Sequence, residues 1–151
     1  MKKLLFAPLI IGVGCLGPFE PDVGEGGGDT CVNADSDPAV DVSFTNDIVP
    51  ALFEVGTDGH CFLCHSPDAM PAIGIDIGGL DLSTFNGLTS GGVMGGADNV
   101  IAGDPCASIL YQKVLPGPPF GVQMPFDGPP FLSDEDTQLL HDWIFEGAQD
   151  N

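Results

Sequence analysis

The chain has 151 residues, 22 of them Asp or Glu and 3 of them Lys or Arg, for a formal net charge of −19 at pH 7. Arginine is absent, and Lys113 is the one cation beyond the first three residues. Such a surface repels phosphate and anionic headgroups, which excludes nucleic-acid binding and electrostatic attachment to membranes.

In chain order, the opening MKKLLFAPLIIGVGC sets two lysines ahead of an apolar run from Leu4 to Val13, with small residues leading to Cys15. A bilayer span needs about 20 apolar residues, so this run reads as an export signal over residues 1–15. The placement of Cys15 resembles a bacterial lipoprotein signal, which implies acylation of its thiol. Gly12 departs from that pattern, which prefers leucine there, and leaves ordinary cleavage open. The expected location is the periplasm or cell envelope, with a lipid as the only membrane anchor.

Residues 16–40 are mostly Gly, Pro and acid, with too few apolar side chains to fold alone, and read as a tether. Asn33, Asp35 and Asp37 alternate as in a calcium loop, but Pro38 stands in place of its glycine and Phe44 in place of its closing glutamate. Solvated acid is the expected role. Residues 41–151 form one expected domain, and three of its segments carry helical periodicity.

The first helix is expected behind Ser43 or Thr45, with Ile48, Ala51, Leu52 and Val55 on one face and Pro50 tolerable only near its first turn. The second runs through CASILYQKV, with Ala107, Leu110, Tyr111 and Val114 on its stripe. The third follows Ser133, with Asp136 three residues on as a start signal, and carries Leu140, Trp143, Ile144 and Gly147. Between them, glycine and proline break every periodic pattern.

The stretch GHCFLCHS, residues 59–66, holds Cys61, Cys64 and His65. Chance would produce about 0.003 such C-x-x-C-H matches in a chain of this composition. Structural zinc needs four ligands, and no second C-x-x-C pair exists. A thioredoxin-like motif needs a βαβ setting, whereas these flanks are Gly, Pro and Asp. C-x-x-C-H is the attachment signature of c-type haem: one helical turn presents both thiols to the vinyl groups and the next residue turns an imidazole toward iron.

With Cys15 and the 61/64 pair set aside, Cys31 and Cys106 remain. Outside the cytoplasm they are expected to pair; the alternative is two buried free thiols.

The ordered set FTNDIVPALF, CFLCH, LDL, IAGDPCASILYQKV and MPFDGPPFLSDEDTQLLHDWIFEGA resembles the planctomycete-type cytochrome c domain of exported bacterial proteins, from about Phe44 to Ala148. The Cys31 and Cys106 pair and the Gly-rich insert 90–99 depart from the basic pattern. The resemblance implies an all-α, class I cytochrome c-like domain: three or more short helices and long Gly/Pro-rich loops around one covalent haem c. Cys61 and Cys64 then make the thioethers, His65 is the proximal iron ligand and Met124 the distal one. It also implies that the first and last helices cross, with Gly147 at a close approach.

For the sixth iron position the sequence offers Met70, Met94, Met124, His60 and His141. Met70 and His60 lie too close to His65 to reach the opposite haem face, and Pro125 fixes the backbone beside Met124. Met94, His141 and an open position stay as alternatives, with His141 expected on the exposed side of the last helix. Trp143, Tyr111 and Lys113 are the conspicuous donors for haem propionates, against the simpler roles of core and solvated charge.

His and Met ligation favours outer-sphere transfer of one electron over catalysis. The expected function is a monohaem electron carrier, not an enzyme, alone or as a subunit of a larger oxidoreductase. Its redox partners carry basic or apolar docking surfaces. The rival reading is a haem-based sensor or docking module with an open or weakly held sixth position.

Overall fold

The computed structural model describes residues 31–151. The signal segment 1–15, Cys15 and the first part of the tether lie outside the described residues. Within them the architecture is helical and holds no strand, only the isolated bridge between Val55 and Thr57. No helix there is long and apolar enough to cross a membrane.

The first helix, Phe44–Phe53, is capped by Ser43, whose side chain accepts from the Asn46 N–H at 3.1 Å. It is wound as a π-helix: Ile48 donates to the Ser43 carbonyl and Glu54 to the Val49 carbonyl, each at 3.1 Å. Pro50 accounts for this. In an α register its ring would crowd the carbonyl four residues back, and it has no N–H to give. The wider winding moves the buried stripe to Phe44, Ile48, Leu52 and Phe53, and the helix stops before Val55, which is exposed. The α-type stripe expected through Val55 is thus corrected by Pro50.

The second expected helix divides into a 3₁₀ turn, Pro105–Ala107, and the helix Ile109–Val114, which buries Leu110 and Val114. Asp104 caps the turn through its carboxylate, which accepts from the Ala107 N–H at 3.1 Å. The last helix, Asp134–Phe145, starts where Ser133 accepts from the Asp136 N–H at 3.0 Å, and three acids in its first turn favour the positive end of its dipole. It ends in a reciprocal pair of bonds, Gly147 N–H to Ile144 carbonyl and Ala148 N–H to Trp143 carbonyl. That pattern calls for a left-handed residue after the cap, and Gly147 has φ +110°. A Cβ there would meet nothing closer than Gln149 at 3.9 Å, so Gly147 ends the helix and is not the close-approach point expected of it.

The first and last helices pack on each other around an aromatic cluster. Phe44 lies 5.3 Å from Trp143 and 5.4 Å from Phe85, ring centre to ring centre, and Trp143 is fully buried. Asn151 closes the arrangement: its carbonyl accepts from Thr45 N–H and its side chain from Phe44 N–H, two of the unpaired donors at the first helix's start. Much of the interior is therefore ordinary apolar packing between helices.

The segment after Cys31 is docked on the last helix, although it falls in the stretch read as tether and solvated acid. Cys31 and Cys106 form a disulfide, Asn33 bonds Asp104 at 2.7 Å and accepts from the Cys106 N–H, and Ser36 donates to Asp142.

Candidate functional site

Cys61, Cys64 and His65 sit on one turn that ends the connection from the first helix. The helix Phe62–His65 opens with the His65 N–H donating to the Cys61 carbonyl at 2.9 Å. Residues three apart on such a turn share a face, and both cysteines are free thiols. The turn is anchored to the end of the first helix: Phe62 packs 5.8 Å from Phe53, and the Cys61 thiol donates to the Leu52 carbonyl at 3.5 Å. Burial pushes the Cys61 thiol up to about 12, so it stays protonated at neutral pH.

His65 is held at two points by the segment Leu80–Leu82. Its Nδ1 lies 3.0 Å from the Leu80 carbonyl, and its own carbonyl accepts from the Leu82 N–H at 2.8 Å. A carbonyl partner requires Nδ1 to carry the proton, which leaves the lone pair on Nε2. Burial lowers the pKa of His65, outweighing the bond to Leu80, and keeps the ring neutral. Nε2 makes no hydrogen bond among the described residues.

The short helix Ile73–Asp76 covers this ring through Gly74. A Cβ at position 74 would overlap the imidazole, coming within 2.6 Å of Cγ and Cε1. Glycine is the residue that lets the backbone pass so close.

The other sequence candidates are dispersed. Met70 is 96 % exposed and Met94 is 68 % exposed. His60 is spent on the Thr57 carbonyl at 3.0 Å and on Asp127 at 2.9 Å. His141 is not on the exposed side of its helix as expected. It is 4 % exposed, with Nε2 2.9 Å from the Val32 carbonyl and its ring 5.2 Å from Tyr111. The docked strap after Cys31 covers it. His141 also lies within 4.8 Å of the sulfurs of Cys31 and Cys106, which are bonded to each other.

Met124 is half-buried, and its N–H donates to the Lys113 carbonyl at 2.8 Å. The His60–Asp127 bond ties its loop to the residue preceding Cys61. Two of the three conspicuous donors weighed for propionates are committed elsewhere: Trp143 Nε1 donates to the Gln149 carbonyl at 3.1 Å, and the Lys113 ammonium to carbonyls of its own neighbouring loop.

Sequence reasoning missed Gly74, Leu80 and the His60–Asp127 pair. For Gly74 the available signal was the glycine spacing in GIDIGGLDL, behind the C-x-x-C-H turn, whereas the Leu80 contact is made by a backbone carbonyl and leaves none. A pair 67 residues apart leaves no local signal.

Two thiols on one face, beside a neutral imidazole with a free Nε2 and a glycine cradle over its ring, meet what covalent attachment of haem c asks of a chain. The chain matches no protein-family model, no curated protein and no solved structure.

Proposed function

We propose that this protein is a monohaem c-type cytochrome that carries single electrons outside the cytoplasm, with the small cytochrome c-like fold implied by its resemblance to planctomycete-type domains. The observation that carries the reading is His65: neutral, fixed through Nδ1 by the Leu80 carbonyl, and free at Nε2 on the turn that bears both thiols. A haem c bound there supplies a one-electron iron couple.

The chain's own residues take separate parts. Cys61 and Cys64 would hold the group through thioethers, each by net addition of an S–H across a vinyl double bond, which would need no oxidant. Gly74 and Leu80 orient the proximal imidazole. Met124 is the distal ligand in this reading, because its competitors are exposed or already bonded. Acylated Cys15 and the acidic segment behind it attach the domain to a membrane surface.

Docking is to redox proteins with basic or apolar surfaces. The net charge of −19 supports the first and the exposed Leu63 beside Cys64 the second. The decisive experiment is intact mass spectrometry and optical redox titration of the exported protein from a host with haem-attachment machinery. A mass increased by one haem, lost in Cys61→Ser/Cys64→Ser, is expected; a mature chain of bare polypeptide mass overturns the proposal.

A further inference from the structure

Lys113, in the last turn of the helix Ile109–Val114, is the one Lys or Arg among the described residues. Its ammonium donates to the Phe120 carbonyl at 2.8 Å and to the Val122 carbonyl, and it lies 4.9 Å from the centre of the Phe120 ring. Its main-chain carbonyl accepts the Met124 N–H at 2.8 Å. The adjoining carbonyl of Val114 accepts from Gln123 Nε2 at 2.7 Å.

One residue thus grips both the middle and the end of the segment 115–124. No residue of that segment, LPGPPFGVQM, is fully buried, so packing contributes little to its shape. Hydrogen bonds from an ammonium to carbonyls are charge-assisted and stronger than neutral ones, most of all where water is partly excluded. Lys113 is half-buried, and burial lowers its pKa, as expected of a cation that has exchanged water for carbonyls.

We propose that Lys113 is a positioning residue that fixes the loop 115–124 and thereby the thioether of Met124. The inference rests on the reading of Met124 as the distal ligand. A ligand on a freely moving loop occupies its binding position for a fraction of the time, and its apparent affinity falls by that fraction. The charge is an internal staple, neither a solvated surface group nor a propionate donor.

The test uses the full-length exported protein and the variants Lys113→Met, which keeps the aliphatic stem, and Lys113→Arg, which restores a cationic donor. In Lys113→Met, amide exchange at Met124 is expected to rise about tenfold, and carbon monoxide affinity of the ferrous protein by a similar factor, with haem content and denaturation midpoint unchanged. Lys113→Arg recovers most of both. Should Lys113→Met fail to fold, Lys113→Gln is read in the same way.

Unchanged exchange overturns the proposal, as does faster exchange with unchanged carbon monoxide affinity. If the wild type carries no haem, the functional reading fails separately, and amide exchange alone decides whether Lys113 fixes the loop.

Discussion

The helical half of the molecule and its loop half are built on different principles. Around Phe44, Ile48, Leu140, Trp143 and Ile144 the first and last helices make a dry aromatic and aliphatic core. Outside that core, large apolar side chains lie at the surface: Leu63, Met70, Ile77, Val93, Met94, Val122, Phe126 and Phe131 are all exposed. The loops are held by polar contacts, such as His65 to Leu80, His60 to Asp127 and Lys113 to two carbonyls. Stability is concentrated in the first half, while the second leaves large apolar side chains uncovered.

The largest effect is expected where both halves depend on one side chain. Trp143 is fully buried among Phe44 and Phe85, so Trp143→Ala should cost about 3–5 kcal/mol, read from chemical denaturation. Domains of this kind are stable by only about 5–15 kcal/mol, so the loops should loosen together with the core. A loss under about 1 kcal/mol would show that the aromatic cluster does not hold the fold.

Next comes the strap on the far side of the last helix. The disulfide Cys31–Cys106 spans 75 residues, and its removal in Cys31→Ser/Cys106→Ser should cost about 2–4 kcal/mol. The same variant should uncover His141, so its ring protons should become sensitive to solvent relaxation agents while those of His65 do not. Equal changes at both rings would erase the distinction between the two halves.

Gly74→Ala confines the damage to the loop half. The added methyl would meet the His65 ring, and overpacking of this kind costs about 1–3 kcal/mol. The bond from Nδ1 to the Leu80 carbonyl should be lost, visible by NMR as a faster-exchanging imidazole proton, with the Trp143 indole signal unmoved. A retained imidazole proton would mean that the close backbone approach does not orient the ring.

What was legible from the sequence follows the same division. The last helix was readable because its start signal at Ser133 and its stripe at Leu140, Trp143 and Ile144 are local features with a fixed period. The first helix was readable in position but not in winding, since the periodicity template assumes an α register and Pro50 imposes a wider one. Cys61, Cys64 and His65 stood out in the sequence because C-x-x-C-H is a contiguous motif. Leu80, Asp127 and the contacts of Lys113 did not, because a backbone carbonyl has no sequence signature and loop contacts have no period. His141 was misplaced for a related reason: the polar face of an isolated helix is exposed, but here the strap after Cys31 lies across it.

The finest probe of the loop half is the His60–Asp127 bond. Hydrogen bonding to Asp127 is the largest cause raising the pKa of His60, and the same bond lowers that of Asp127. A raised histidine gives its full stabilisation below the ordinary value of about 6.5, which is lost as pH rises through the folded value; a lowered aspartate gives its own above about 3.9, lost as pH falls. The tie should therefore be strongest between about pH 4 and 6.5. Asp127 is exposed, so the effect is small and screened by salt. Amide exchange over residues 126–128, corrected for intrinsic pH dependence, should quicken modestly as pH rises through the folded pKa of His60, which NMR titration locates. Asp127→Asn should flatten that dependence and leave exchange around Ile144 as it was. A pH response that persists in Asp127→Asn would place the switch elsewhere and leave the loop of Met124 held by the contacts of Lys113 and Gln123.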